Sequence, residues 1–363
     1  MPNSFHAEAT SLAPKLSAPQ HKPRPLPLFL DLVRRETAGA PERMARALAG
    51  LRAYQEAARA APAAPMPAIA EVHGATLRDY GGDGGGGRTV LFVPSLINPP
   101  NILDLGERSL LRWLAAQGHR PLLVDWGWET GQRRGLGVGD HVERILVPLI
   151  QGLPEPPALV GYCLGGTMAA AAAALTPVRG LATLAAPWRF RAFPDADRAR
   201  LADLWRQWRP AAAGMGVLPM EALQSAFWSL DPARTVAKFE AYAALDPEAP
   251  KARAFVTLED WANDGPPIGE AAAREMFEDL FADDLPGLGR WTVGGRAVDP
   301  AALPCPLLNI VSTVDRIVPH GSAIPAGERI ELGLGHVGMV VGGRARGALW
   351  EPLAAWLSRA ATS

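Results

Sequence analysis

The run Leu159-Val160-Gly161-Tyr162-Cys163-Leu164-Gly165-Gly166-Thr167 puts a thiol at the tip of a sharp strand-to-helix turn. Gly161 and Gly165 stand two residues either side of Cys163, where a side chain would strike the neighbouring strand or helix. A strained elbow of this kind leaves its central side chain exposed at the end of a sheet. The alanine-rich run from 167 to about 175 predicts the following helix, whose positive end would face a Cys163 thiolate. The chemistry this permits is covalent acyl transfer.

Such a nucleophile needs an acid and a histidine later in the chain, in that order. Residues 306–312 predict a short buried strand, and Asp315 follows it in a loop. A second strand, 329–332, runs into Gly333-Leu334-Gly335-His336, so His336 lies on a glycine-rich loop where an imidazole can reach the thiol. His336 then accepts the thiol proton, while Asp315 fixes its tautomer and stabilises the imidazolium. The oxyanion of an acyl-transfer intermediate requires N–H donors. One is the backbone of Leu164, directly after the nucleophile; the other comes from the loop 94–100 after strand 89–93. Proline cannot donate. Leu96, Ile97 and Asn98 remain, and Ile97 is the favoured donor.

Seven segments in this order resemble the polyhydroxyalkanoate synthases: 93–98, 102–105, 124–127, 161–167, Trp261-Ala262-Asn263-Asp264-Gly265, Asp315-Arg316-Ile317-Val318-Pro319 and Gly335-His336-Val337-Gly338. The resemblance runs from about Thr89 to the C-terminus. It implies an α/β-hydrolase fold, with a mostly parallel sheet, helices on both faces and an inserted helical cap. The implied activity is polymerisation of 3-hydroxyacyl-CoA through a cysteine thioester. Cys163 would carry the chain, His336 would activate it and the incoming hydroxyl, and Asp315 would support the histidine. Acyl-CoA is a substrate here, and no cofactor or metal is implied. The chain has the length of the family's short members, which work with a second synthase subunit; a homodimer and a polymer granule surface are the other expected partners. Two departures lie near the expected site. Pro99-Pro100-Asn101 stands where the family usually has bulky, often aromatic residues, and Arg316 where a histidine often follows the acid. A thioesterase or polyester hydrolase on the same scaffold is the rival reading. Dienelactone hydrolases share the box around the cysteine but are shorter and leave the segments at 261–265 and 336–338 unexplained. A non-catalytic granule-associated protein is the reading from another class, against which the intact Cys163, Asp315 and His336 set argues.

Composition agrees with an intracellular enzyme. A chain of 363 residues fits one α/β core with an insertion. Net charge of −1 offers no basic field for nucleic acid. Two cysteines suggest a reducing compartment rather than a disulfide framework, and Cys305, between Pro304 and Pro306, reads as a small buried hydrophobe. No window reaches the roughly 18 apolar residues of a membrane span, and 1–30 lacks the apolar stretch of a signal peptide, so a cytoplasmic protein, free or at a granule surface, is expected.

The elements that must position the site follow from pattern. The first ~25 residues read as disordered, and 28–60 as a helical hairpin broken near Gly39 and Pro41 and packed on the core. Together 1–68 form the N-terminal region. A linker at 61–68 leads to a first strand around 71–80, and the six glycines within 81–87 form a flexible turn. From Thr89 strands and helices alternate: strands 89–93, 121–125, 158–162 and 180–185, helices 108–117 and 140–149. The α/β core is therefore assigned to 69–187 and 292–363. Between them 188–291 reads as an inserted cap, with helices over 198–209, 233–244 and 270–281 and six tryptophans. Those tryptophans either line an acyl tunnel or simply pack the cap. The arginines at 198, 200, 206 and 209 either touch CoA phosphates or form a solvated helix face.

Overall fold

The computed structural model describes residues 23–59, 64–81, 87–129 and 131–360. The expectations for the first residues, for part of the linker and for the glycine turn at 82–86 fall outside them. Eight strands form the main sheet: β1 (Ala68–Val72), β2 (Ala75–Asp79), β3 (Arg88–Val93), β4 (His119–Asp125), β5 (Ala158–Tyr162), β6 (Gly180–Leu184), β7 (Leu307–Ser312) and β8 (Glu328–Leu332). Their order across the sheet is β1-β2-β4-β3-β5-β6-β7-β8. From β4 to β8 every pairing is parallel, while β1 and β2 are antiparallel to their neighbours. Every residue of β5, β6 and β7 is buried. Strands covered on both faces carry continuous apolar runs rather than alternation, which is why their sequences read so cleanly.

The single strand expected around 71–80 is a hairpin. His73 and Gly74 both take positive φ, 49° and 77°, and reverse the chain between β1 and β2. A two-residue turn of this hand matches the twist of the flanking strands. The pair His-Gly is a weaker signal for it than Asn-Gly, so the break is hidden in the sequence.

Helices cover both faces of the sheet. Among them are α3 (Leu110–Ala116), α4 (Leu164–Leu175) and, near the C-terminus, α5 (Glu351–Ala360). Between β6 and β7 the chain leaves the sheet and becomes helical. The segment contains helices over Asp195–Met215, Met220–Leu230, Pro232–Tyr242 and Pro250–Asn263, then a run over Glu270–Arg274 that continues as a π-helix to Ala282. Helices overlie the three spans expected there, and Met220–Leu230 and Pro250–Asn263 are helical between them.

The N-terminal hairpin forms as α1 (Leu26–Glu36) and α2 (Pro41–Glu56), but its packing differs from expectation. Phe29, Val33, Leu51 and Tyr54 join Trp228, Val236, Phe239 and Val256 in one cluster. The hairpin therefore packs on the inserted helices and not on the sheet. Gly50 permits the approach, since a Cβ there would lie 1.9 Å from the Phe239 carbonyl oxygen. Amphipathic spacing reveals that a face is buried, not which surface buries it. Among the described residues no helix is long and apolar enough to cross a membrane.

Candidate active site

Cys163 forms the turn between β5 and α4 with φ 56° and ψ −133°. Positive φ at a residue with a side chain costs on the order of 1–3 kcal/mol and persists only where the surroundings enforce it. Here they do. A Cβ on Gly165 would lie 2.1 Å from the Val93 carbonyl oxygen, and one on Gly161 would lie 2.4 Å from Gly166 Cα. The glycines let β3 and α4 close on the elbow. The Cys163 N–H donates to the Leu184 carbonyl at 3.0 Å, and its own carbonyl accepts from the Gly166 N–H at 2.9 Å. Helix α4 starts at Leu164, three residues earlier than the alanine run suggests. The Leu164 N–H is thus among the first four of the helix, which have no acceptor within it.

Asp315 sits in the loop after β7 with its side chain fully buried. Its Oδ1 accepts from the N–H groups of Ile317 at 2.7 Å and Val318 at 3.1 Å. Its Oδ2 lies 2.7 Å from His336 Nδ1. His336 follows β8 and is 8% exposed. The Tyr162 ring stacks on it with centroids 5.0 Å apart, and the Tyr162 hydroxyl donates to the His336 carbonyl at 3.4 Å. Burial pushes the imidazole pKa down, but the charge and hydrogen bonds of Asp315 and Cys163 overcome it and raise the value to about 10. At neutral pH the imidazole is therefore cationic, hydrogen-bonded to the Cys163 side chain and to Asp315. Burial, with the nearby Cys163 and Asp315, pushes the Tyr162 phenol well above its ordinary range, so it stays neutral.

The loop after β3 is braced from two sides. Trp126 Nε1 donates to the Pro94 carbonyl at 3.1 Å, and Trp261 Nε1 to the Pro99 carbonyl at 2.9 Å. Asn98, held at φ 63°, donates from Nδ2 to the carbonyls of Ala262 at 3.3 Å and Asp264 at 3.4 Å. The segments 124–127 and 261–265 thus support this loop. The Ile97 N–H donates to Ser95 Oγ at 3.0 Å, so it must turn away from that hydroxyl to reach an oxyanion.

Two cavities meet at Cys163. The outer one, about 200 Å³, is bounded by Asn98, Gln224, Lys238, Trp261 and His336. Lys238 Nζ bonds both oxygens of the buried Glu259, at 2.7 and 2.8 Å. The inner one, about 100 Å³, is bounded by Phe190, Phe193, Leu223, Phe277 and Phe281. Of the six tryptophans only Trp228 and Trp261 border the outer cavity. Trp188 packs on Trp291, and Trp205 on Phe277. Arg198, Arg200, Arg206 and Arg209 pair with Asp195, Asp197, Asp203 and Glu278. This is the arrangement of a solvated helix face. Arg316 pairs with Asp231, the N-cap of the helix Pro232–Tyr242, and so ties the loop of Asp315 to the inserted helices. Sequence reading passed over Tyr162, Gln224 and Lys238. Tyr162 adjoins the nucleophile and was within reach of it; the other two are brought in by helix packing that has no spacing signal.

The alpha/beta hydrolase family profile matches residues 72–346. Among curated proteins the chain is 29% identical over 291 residues to the poly(3-hydroxyalkanoate) polymerase subunit of Haloferax mediterranei, covering 74% of this chain and 58% of that protein. It is also 29% identical over 289 residues to the subunit of the same name from Allochromatium vinosum, covering 74% and 80%. Among solved structures, a carboxylesterase of Nitrososphaera gargenis superposes with a TM-score of 0.51 at 16% identity, across 81% of this chain and 99% of that one. That likeness carries the fold. With the elbow and the matched residues in one frame, the chain belongs to the alpha/beta hydrolase family, and over about three quarters of its length it is similar to the poly(3-hydroxyalkanoate) polymerase subunits.

Proposed function

We propose that the protein is an acyltransferase that polymerises 3-hydroxyacyl-CoA into polyhydroxyalkanoate, with Cys163 as the covalent nucleophile. The observation that carries this reading is the buried Asp315–His336 pair beside a thiol held in a strained elbow. In the first transfer the Cys163 thiolate attacks the thioester carbonyl carbon. The C–S bond to CoA then breaks, and the CoA sulfur leaves with the proton that His336 holds. Leu164 N–H, with a donor from the loop at Ile97, stabilises the oxyanion. Acylation removes the thiolate, one of the charges that raise the His336 pKa. The imidazole, now neutral, can accept the proton of the 3-hydroxyl on the next unit. That oxygen attacks the Cys163 thioester, an ester bond forms, the C–S bond breaks, and the Cys163 sulfur leaves as the thiolate beside the imidazolium that now holds the hydroxyl proton.

Asp315 orients the ring and stabilises its cation but does not itself take the proton. Acyl-CoA is the substrate and no other cofactor enters the scheme. A second synthase subunit or a second copy of the chain, a cytoplasmic location and a granule surface complete the proposal; the subunit is supported by the relatives' names, and the rest by the family resemblance alone. The test is incubation with a panel of 3-hydroxyacyl-CoA thioesters, following CoA release, polymer and free acid together. Polymer is expected. Free acid without polymer would make the protein a thioesterase, since only the acceptor, water or hydroxyl, separates the two.

A further inference from the structure

The two cavities at Cys163 differ in chemistry, and the difference sorts the parts of a 3-hydroxyacyl thioester. His336 borders the outer cavity and not the inner one, and Gln224, Asn98 and Lys238 also face the outer space. The hydroxyl and the amide-bearing arm of the thiol carrier find hydrogen-bond partners there. The inner chamber is walled by Phe190, Phe193, Leu201, Leu223, Phe277 and Phe281. Its charged residues are occupied, Asp197 by Arg200 and Arg316 by Asp231. An amide in that chamber would lose its hydrogen bonds without replacement, whereas an alkyl group would gain by leaving water.

We infer that the inner chamber is the subsite for the side chain of the 3-hydroxyacyl unit and selects a tail longer than methyl. This rests on the acyltransferase reading above. The chamber holds about 100 Å³, and since an apolar cavity of about 150 Å³ takes benzene, about three or four carbons fill it. A 3-hydroxyhexanoyl unit places a propyl group there, a 3-hydroxybutyryl unit leaves most of it empty, and a 3-hydroxydecanoyl unit overfills it.

The full chain is assayed with these three CoA thioesters. The hexanoyl substrate should show kcat/KM on the order of tenfold above the butyryl one, because each methylene buried in a fitted pocket is worth a several-fold factor. The decanoyl substrate should fall below the hexanoyl one. Ala226, on the chamber wall, offers a filling variant: Ala226→Phe should bring the hexanoyl-to-butyryl ratio near one, and Leu201→Ala should raise use of the decanoyl substrate. A second measurement needs neither variant nor turnover. Alkyl methanethiosulfonates give a mixed disulfide with the Cys163 thiolate and release methanesulfinate. Corrected for their rates with free cysteine, the butyl reagent should outpace both methyl and decyl reagents, with the Cys163→Ala protein as the control for Cys305. A wild type that prefers the butyryl substrate, or disulfide rates independent of alkyl length, overturns the chamber assignment while leaving the polymerase reading intact. Free acid without polymer from all three substrates overturns the polymerase reading instead, and the disulfide rates alone then decide whether the chamber takes an alkyl group.

Discussion

At the residue scale the site is an ion pair stored next to a strained nucleophile. Cys163→Ala should abolish the acyl adduct seen by intact mass after exposure to acyl-CoA, and Cys163→Ser should retain little, since a hydroxyl ionises far less readily than a thiol. An adduct on Cys305 in the wild type would refute the assignment. The Asp315–His336 pair also has a stability consequence with a definite sign. The His336 pKa is raised from 6.5 to about 10 in the folded protein, so its contribution is complete below the unfolded value and disappears as pH rises through about 10. The wild-type melting temperature should therefore fall between pH 7 and 10 more steeply than that of His336→Gln. Parallel slopes would mean that the imidazole is not held as a cation. The same variant should lose turnover by a factor on the order of 10²–10⁴, the usual worth of a positioned acid–base group.

At the element scale, two connections control the geometry around the thiol. The loop after β3 depends on Asn98, whose side chain reaches two carbonyls of the 261–265 segment while its backbone holds positive φ. Asn98→Ala removes both hydrogen bonds and the residue type that tolerates this conformation. Turnover should drop roughly tenfold to a hundredfold, in line with a displaced oxyanion donor, with the melting temperature shifted by only a few degrees. A normal rate would show that the loop holds its shape without this brace. The second connection is Arg316 with Asp231. Its value to global stability is small because Arg316 is largely exposed, but it links the acid loop to helices that roof the cavities. In Asp231→Asn, a bulky maleimide should modify Cys163 several-fold faster, while a small alkylating reagent is unaffected. Equal acceleration of both would point to general loosening instead.

At the scale of the whole molecule, the N-terminal hairpin shares a core apart from the sheet with the helices Pro232–Tyr242 and Pro250–Asn263, while the helices Asp195–Met215 and Glu270–Arg274 pack in the same cluster as the sheet. Phe29, Val33, Leu51 and Tyr54 cover Trp228, Val236, Phe239 and Val256, and burying side chains of this size contributes roughly 1.5–3 kcal/mol each. Deleting residues 1–57 should leave the sheet folded but the helices it covers open to protease, with cuts between 228 and 263 appearing first. Cuts spread evenly over the chain would mean that the two parts fold as one. Behind the loop after β3, where its ring packs edge-on against Trp126, His141 is buried with its pKa lowered by desolvation to about 4. A depressed histidine costs stability as pH falls below its unfolded value, so the protein should lose on the order of 3 kcal/mol between pH 6.5 and 4 from this residue alone. Denaturant unfolding of wild type against His141→Gln across that range measures the loss.

The order Cys163, Asp315, His336, the elbow glycines, and the strands at 158–162 and 306–312 were legible in the sequence because each is a local signal. A thiol flanked by glycines, an acid after an apolar run and a histidine after a strand need only short windows to be seen. The parallel sheet followed from alternation of elements for the same reason. The hairpin at His73-Gly74, the pairing of Arg316 with Asp231, the seating of α1 and α2 on the inserted helices, and the separation of two cavities at one thiol came only from tertiary structure. Periodicity identifies which face of a helix is apolar, but partner surfaces far apart in the chain meet according to shape and volume, and no spacing in the sequence encodes them. The residues that meet at the thiol were therefore readable from residue types and order, whereas the space around it was set by how the inserted helices close over the sheet.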